Sequence, residues 1–319
     1  MRELILGLIF ILGLAGSNQP QFSLPIANPI SQPTRQIGGD ILDDSLQSLP
    51  LAKEKESGPQ KVDDKSLGIE VSAQSGVVID KQSGQILWEK NAYQPRSIAS
   101  ITKLMAALVF LENNPGWDKE VTIAASDQRE GGVAFFAPGE VVSVRDLFYV
   151  SLVKSINCTV AALVRSTGLS EEEFVIQMNQ KAQDLGLNST HFVDPTGLAS
   201  RNISTALEVA FLLKVALDHP AIANATTLKD FTAVVINKNE KRQAGATNYL
   251  LTSYLNSGNY KVLGGKTGFI EEAGYCLTSA VADKAGHQVI SVVLGSATAE
   301  SRFTESKGII DWTFNNYQW

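Results

Sequence analysis

Pro95-Arg96-Ser97-Ile98-Ala99-Ser100-Ile101-Thr102-Lys103-Leu104-Met105 sets a proline just ahead of a long apolar run. The spacing predicts a helix from about Ser97 to Asn113, with Thr102, Met105, Ala106 and Val109 at helical intervals. Its middle, Leu104 to Leu111, is almost wholly apolar, the mark of a helix buried on most sides. Ser100 and Lys103 stand three residues apart near its front, so they share a face and can reach each other. A serine hydroxyl is too weakly acidic to attack unaided, and the pair reads as a candidate nucleophile beside its base. Lysine takes up that proton only if burial or a second cation lowers its pKa. Lys266, in Lys266-Thr267-Gly268, is the candidate second cation. Another S-x-x-K, Ser151 to Lys154, sits inside an amphipathic helical pattern with no strand before it and reads as a solvated pair.

Ahead of this helix, Gly76-Val77-Val78-Ile79-Asp80 and Gln85-Ile86-Leu87-Trp88-Glu89 flank Lys81-Gln82-Ser83-Gly84, a hairpin signal. Beyond it, amphipathic helices are expected at Val144 to Val153, Thr159 to Ser166, Glu171 to Leu185 and Thr205 to Leu217. Strand patterning returns at Phe231 to Ile236, Tyr260 to Leu263, Gly274 to Ala282 and Gln288 to Gly295, before a last helix near Glu300 to Asn315. Strands at both ends with helices between them predict an α+β domain whose sheet is assembled from distant segments around a helical insertion. At the N-terminus, residues 4–15 form an apolar run after Arg2, short of the ~20 residues that span a bilayer. Residues 1–17 are therefore expected to be a signal peptide, or an N-terminal anchor if uncleaved. No cysteine follows to carry a lipid. Residues 18–66, rich in Pro, Gln, Ser and charge, are expected to form a disordered linker, leaving 67–319 as one folded domain.

Composition narrows the function. With 33 acidic against 27 basic residues, a net charge of -6 and no dense Lys/Arg run, nucleic acid is not an expected partner. Cys158 and Cys276 lie in apolar runs, the usual setting of buried thiols. His191, His219 and His287 make no metal-ligand spacing with them, which disfavours a zinc hydrolase and calls for no metal or cofactor. His191 reads as a packing residue beside Phe192.

S-x-x-K with S-D-N and K-T-G is the signature of class A β-lactamases and penicillin-binding proteins. This chain resembles that superfamily at all three points in order. The stretches Pro95 to Met105, His191-Phe192-Val193-Asp194-Pro195-Thr196-Gly197-Leu198 and Gly265 to Phe269 with Glu272 to Tyr275 look like the D-alanyl-D-alanine carboxypeptidases, the low-mass penicillin-binding proteins. The resemblance covers about residues 68 to 316. S-x-N occurs at Ser155-Ile156-Asn157, Ser200-Arg201-Asn202 and Ser257-Gly258-Asn259. The first is chosen because Gly139 to Tyr149 resembles the family's lead-in, whereas Ser257-Gly258-Asn259 falls in a turn before the Lys266 strand.

The resemblance implies a β-lactamase/transpeptidase-like fold, an antiparallel five-stranded sheet flanked by helices with an all-helical subdomain. It implies that Ser155 relays a proton between Lys266 and the leaving group, and that Asn157 holds Lys103 or the substrate amide. It also implies an oxyanion hole from the backbone N–H groups of Ser100 and Phe269, donors aimed at developing charge. Gly268 lets a substrate backbone approach the strand edge so that a peptide adds as another strand. Thr267 would bind the substrate carboxylate, and Arg302 is the candidate guanidinium for the same group, whose fork it fits better than an ammonium does. The family usually has Gly between Ser and Asn and then Asp-Ala, but this chain has Ile156 and Cys158-Thr159. Ile156 is expected to alter rate or substrate preference without abolishing acylation.

The expected activity is removal of the terminal D-Ala from peptidoglycan stem peptides through a Ser100 acyl-enzyme, with β-lactam antibiotics as further acylating partners. The expected location is the periplasm or extracytoplasmic wall space, any membrane attachment resting on the N-terminal segment. Three other readings stand beside it. A D,D-endopeptidase would use the same acylation on crosslinks. A class A-like β-lactamase would need a deacylating glutamate, but Asp194-Pro195-Thr196-Gly197-Leu198 stands where its loop should fall. An inactive muropeptide-binding module would take no penicillin label.

Overall fold

In the computed structural model, which describes residues 58–319 apart from 63, 64, 67 and 130–132, the expected hairpin opens the domain. The signal segment 1–17 and residues 18–57 of the expected linker lie outside the described residues, but the last part of that stretch belongs to the domain, since Gln60–Lys61 pairs antiparallel with Tyr317–Gln318. The hairpin strands are β1 (Ser75–Asp80) and β2 (Ile86–Lys90), and three C-terminal strands complete the sheet: β3 (Tyr260–Ile270), β4 (Gly274–Asp283) and β5 (Gln288–Ser296). Their order is β3-β4-β5-β1-β2, antiparallel throughout, so segments more than two hundred residues apart meet where β1 pairs with β5.

All six residues of β1 are buried, which requires cover on both faces of the sheet. The period-2 alternation of a strand divides them. Val77, Ile79, Ile290, Val292 and Leu294 join the core beneath the helical insertion, whereas Val78, Val289 and Val293 join a second core with Ile309 and Ile310. The latter pair belongs to the C-terminal helix.

Between the hairpin and β3 run α1 (Lys103–Glu112), α2 (Val144–Val153), α3 (Asn157–Ser166), α4 (Glu171–Asp184), α5 (Ala206–Leu217) and α6 (Pro220–Thr227). The chain closes on α7 (Ser301–Asn316). Ser143, Ser170 and Thr205 cap α2, α4 and α5 by accepting from backbone N–H groups three residues on, which is why those starts are sharp.

Four further expectations need correction. The α-helix begins at Lys103, not Ser97, because Ala99–Thr102 forms a 3-10 turn after Ala99 adopts φ +46°. Strand β3 continues to Ile270, well past Leu263, absorbing its glycines through a bulge between Val262 and Gly264. The segment Asp230–Val235 is a strand, but it pairs with Glu240–Gly245 in a separate hairpin outside the main sheet. The pair Ser151 and Lys154 is not solvated at its serine: Ser151 is buried in α2 and donates to the Phe148 carbonyl. Both cysteines are buried and free, as their apolar surroundings suggested.

Candidate active site

The site is built on the turn ahead of α1. Alanine rarely adopts the left-handed φ of Ala99, a conformation costing roughly 1–2 kcal/mol, so neighbouring structure must hold it. Two glycines do. A Cβ on Gly197 would lie 2.1 Å from the Ala99 carbonyl oxygen, and one on Gly268 would lie 2.7 Å from that of Ile98. Backbone therefore closes on both sides of residues 98–100 and presents the Ser100 hydroxyl to a cleft of about 520 Å³.

Lys103 turns its amine back beneath that hydroxyl. Nζ donates to Ser100 Oγ at 2.8 Å, to Asn157 Oδ1 at 2.7 Å and to the Thr196 carbonyl at 2.5 Å. The side chain is 1% exposed, and burial lowers its pKa to about 7, the charge of Asp194 opposing the shift. Near neutrality a substantial fraction of this lysine is a free amine.

The Thr196 carbonyl is aimed by the loop before it. Asp194 accepts from the backbone N–H groups of Thr196, Gly197 and Ala199 and from the Thr196 hydroxyl. Buried Asn202 donates to the Asp194 carbonyl and to Thr102 Oγ1, tying the loop to the turn that carries Ser100. The sequence picked out residues 191–198 by resemblance alone and assigned Asp194, Thr196 and Asn202 no task.

The second amine comes from the sheet. Lys266, in the middle of edge strand β3, donates to Ser155 Oγ at 2.7 Å and to the Thr267 carbonyl at 3.0 Å. Burial drives its pKa well below the usual lysine value, helped by the charges of Lys103 and Arg302. Ser155 links α2 to α3 with φ +64°, so the left-handed residue of this turn is the serine itself. Ile156 follows at φ -73°, ψ 129°, a conformation that needs no glycine, and it is buried in the helical core. The departure from the family pattern therefore leaves the backbone intact. The side chain packs inside the domain and is not part of the cleft wall.

The other expected residues meet in the same cleft. Asn157, Thr267, Gly268, Phe269 and Arg302 line it with Ser100 and Ser155. Thr267 Oγ1 lies 2.6 Å from Thr247 Oγ1, a cleft residue that no motif marked. Arg302 donates to the Gly268 carbonyl at 3.2 Å and packs its guanidinium over Tyr275 and Phe303, while its buried Nε has no partner among the described residues. Phe269 is 47% exposed and stacks on Tyr275. The rejected S-x-N copies go elsewhere: Asn202 into the loop support, and Ser257-Gly258-Asn259 into the turn before β3.

A hydroxyl, two buried amines and a guanidinium thus converge beside a free strand edge, an arrangement suited to acyl transfer on an extended anionic peptide. Comparison with known proteins agrees. At 33% identity over 253 residues, the chain resembles the D-alanyl-D-alanine carboxypeptidase DacF of Bacillus subtilis, over 77% of this chain and 63% of that relative. It is 32% identical over 232 residues to a D-alanyl-D-alanine endopeptidase of Pseudomonas aeruginosa, over 72% of this chain and 74% of the other. A penicillin-binding protein of Listeria monocytogenes, in its cefotaxime-bound form, matches with a TM-score of 0.67 at 31% identity, over 77% of this chain and 98% of that structure. The family model described as D-alanyl-D-alanine carboxypeptidase matches residues 59–298, and the chain belongs to that family.

Proposed function

We propose that this protein is a serine-type D-Ala-D-Ala carboxypeptidase that trims the terminal D-Ala from peptidoglycan stem peptides and is acylated by β-lactams. The observation that carries the proposal is the buried Lys103 amine, its pKa near 7, held 2.8 Å from the Ser100 hydroxyl. When neutral, Nζ keeps two N–H bonds, to Asn157 and Thr196, and turns its lone pair to the Ser100 hydrogen.

Ser100 Oγ then attacks the carbonyl of the penultimate D-Ala while Lys103 takes the proton. The backbone N–H groups of Ser100 and Phe269 stabilise the oxyanion. As the tetrahedral centre collapses, the carbon–nitrogen bond breaks and the leaving amine collects, through Lys266 and Ser155, the proton that Lys103 had taken, which returns Lys103 to a free amine. Thr267 and Arg302 hold the departing carboxylate. Water enters and attacks the acyl carbonyl as Lys103 takes its proton, and on collapse Lys103 returns that proton to Ser100 Oγ while the acyl group departs as a carboxylic acid that ionises. In a β-lactam the leaving nitrogen stays tethered to the acyl group, so the adduct persists.

The substrate lies outside the cytoplasmic membrane, so the reading includes residues 1–17 as export signal or anchor and a tether after them, with the enzyme domain taking in Gln60–Lys61, which pairs with Tyr317–Gln318. Among the described residues no helix is long and apolar enough to cross a membrane. Hydrolysis of crosslinks is the second reading, favoured by the similarity to an endopeptidase across 74% of that relative's length. Monomeric pentapeptide and crosslinked dimer offered together separate the two: release of free D-Ala supports the carboxypeptidase, and conversion of dimer alone supports the endopeptidase. Fast turnover of a chromogenic cephalosporin would instead favour a β-lactamase, and failure of folded protein to take fluorescent penicillin would favour a binding module.

A further inference from the structure

We infer that Glu271 selects stem peptides whose third residue carries a free side-chain ammonium; this rests on the carboxypeptidase reading above. The cleft is electrically lopsided. Arg302 places its guanidinium charge at the end where the scissile bond and the terminal carboxylate are placed, beside the two buried amines of Lys103 and Lys266. Glu271 is the only acidic residue among those described as lining the cleft, and it is exposed in the turn just after β3. It makes no ion pair or side-chain hydrogen bond among the described residues.

Its position along the strand fits one atom of the substrate. With the terminal carboxylate at Thr267 and the scissile carbonyl at the Phe269 N–H, the peptide runs antiparallel to β3, its earlier residues toward Ile270 and Glu271. Glu271 is four steps on from Thr267, the last of them beyond the strand, and so at most about 13 Å away at ~3.3 Å per residue. From the terminal residue back to the third is two steps, roughly 7 Å, and a side chain with a four-carbon stem, standing off the peptide and leaning along it, extends roughly 6 Å more. Its amine and the flexible, exposed Glu271 carboxylate come within reach of each other.

The pairing is solvent-exposed, so a contribution on the scale of surface ion pairs is expected, about three- to fivefold in kcat/KM. The test compares Nα-acetyl-Lys-D-Ala-D-Ala, whose ε-amine is free, with the Nα,Nε-diacetyl peptide. The wild type should prefer the free amine about three- to fivefold at low salt, Glu271→Gln should bring the ratio near one, and Glu271→Lys should invert it. The preference should shrink as salt is added. Equal rates in the wild type, or a ratio unchanged in Glu271→Gln, overturn the inference while leaving the parent reading intact. Turnover of neither peptide, with no penicillin adduct, overturns both.

Discussion

Two S-x-x-K pairs in this chain have the same spacing and opposite fates. Lys103 stands at the first turn of α1 and folds its amine under Ser100, where Asn157 and Thr196 receive the remaining N–H groups. Lys154 stands at the C-terminal end of α2, and the Ser151 hydroxyl bonds to the carbonyl three residues back. Sequence spacing brings serine and lysine to one helix face in both cases. Burial lowers the pKa of one lysine only, and acceptors from two other chain segments aim its amine at the serine, as the proposed base requires.

The sharpest way to break this contrast is to remove each serine. Ser100→Ala should lower peptide hydrolysis by at least about 10⁴-fold and abolish penicillin acylation, in line with losses on deleting other serine nucleophiles. Ser151→Ala should leave acylation within about twofold and cost about 1 kcal/mol of stability, the scale of one hydrogen bond. A large kinetic loss at Ser151 would undo the distinction.

Removing the base comes next. Lys103→Gln should slow acylation about 10²–10⁴-fold, the usual reach of a positioned base. In the wild type the acylation rate should rise about tenfold per pH unit below about 7 and flatten above it, as the buried amine loses its proton. The stability consequence has a definite sign. The folded pKa is about 7 and the unfolded value about 10.5, so the unfolded chain binds more protons between these limits. Wild-type stability should therefore climb with pH across that window, and the Lys103→Gln variant should climb less steeply in chemical-denaturation series.

Backbone support is a smaller lever. Gly197→Ala places a methyl against the Ala99 carbonyl at a φ of +84°, and should cost about 2–3 kcal/mol while slowing acylation about tenfold or more. Ile156→Gly should have the least effect on chemistry. Emptying a buried site should cost about 3 kcal/mol in thermal unfolding, with acylation changed less than about threefold, because the side chain faces the core. An effect on rate larger than that on stability would restore Ile156 to the cleft wall.

Much of this was legible in the residues. Val144 to Val153 matched its helix at both ends, because Ser143 caps the start and the apolar period is regular. Ser100, Lys103, Ser155, Asn157 and Lys266 were marked by motif order, and the fold brings them together. What sequence reading missed depends on contacts between distant segments. Thr247 reaches the cleft only because β3 lies beside it, and Thr196 serves through a backbone carbonyl, which carries no side-chain signature. The strand Glu240–Gly245 opens on three charged residues, and the glycines of β3 masked a strand that neighbouring β4 sustains. Local pattern cannot report either.

Mass spectrometry of the intact protein after benzylpenicillin, followed by mapping of the adduct to a proteolytic peptide, tests the central claim most directly. The account predicts a single penicilloyl adduct on the peptide containing Ser100, absent from Ser100→Ala and slowed in Lys103→Gln. Folded protein that takes no adduct, or an adduct on a peptide bearing Ser151 or Ser257, would contradict it.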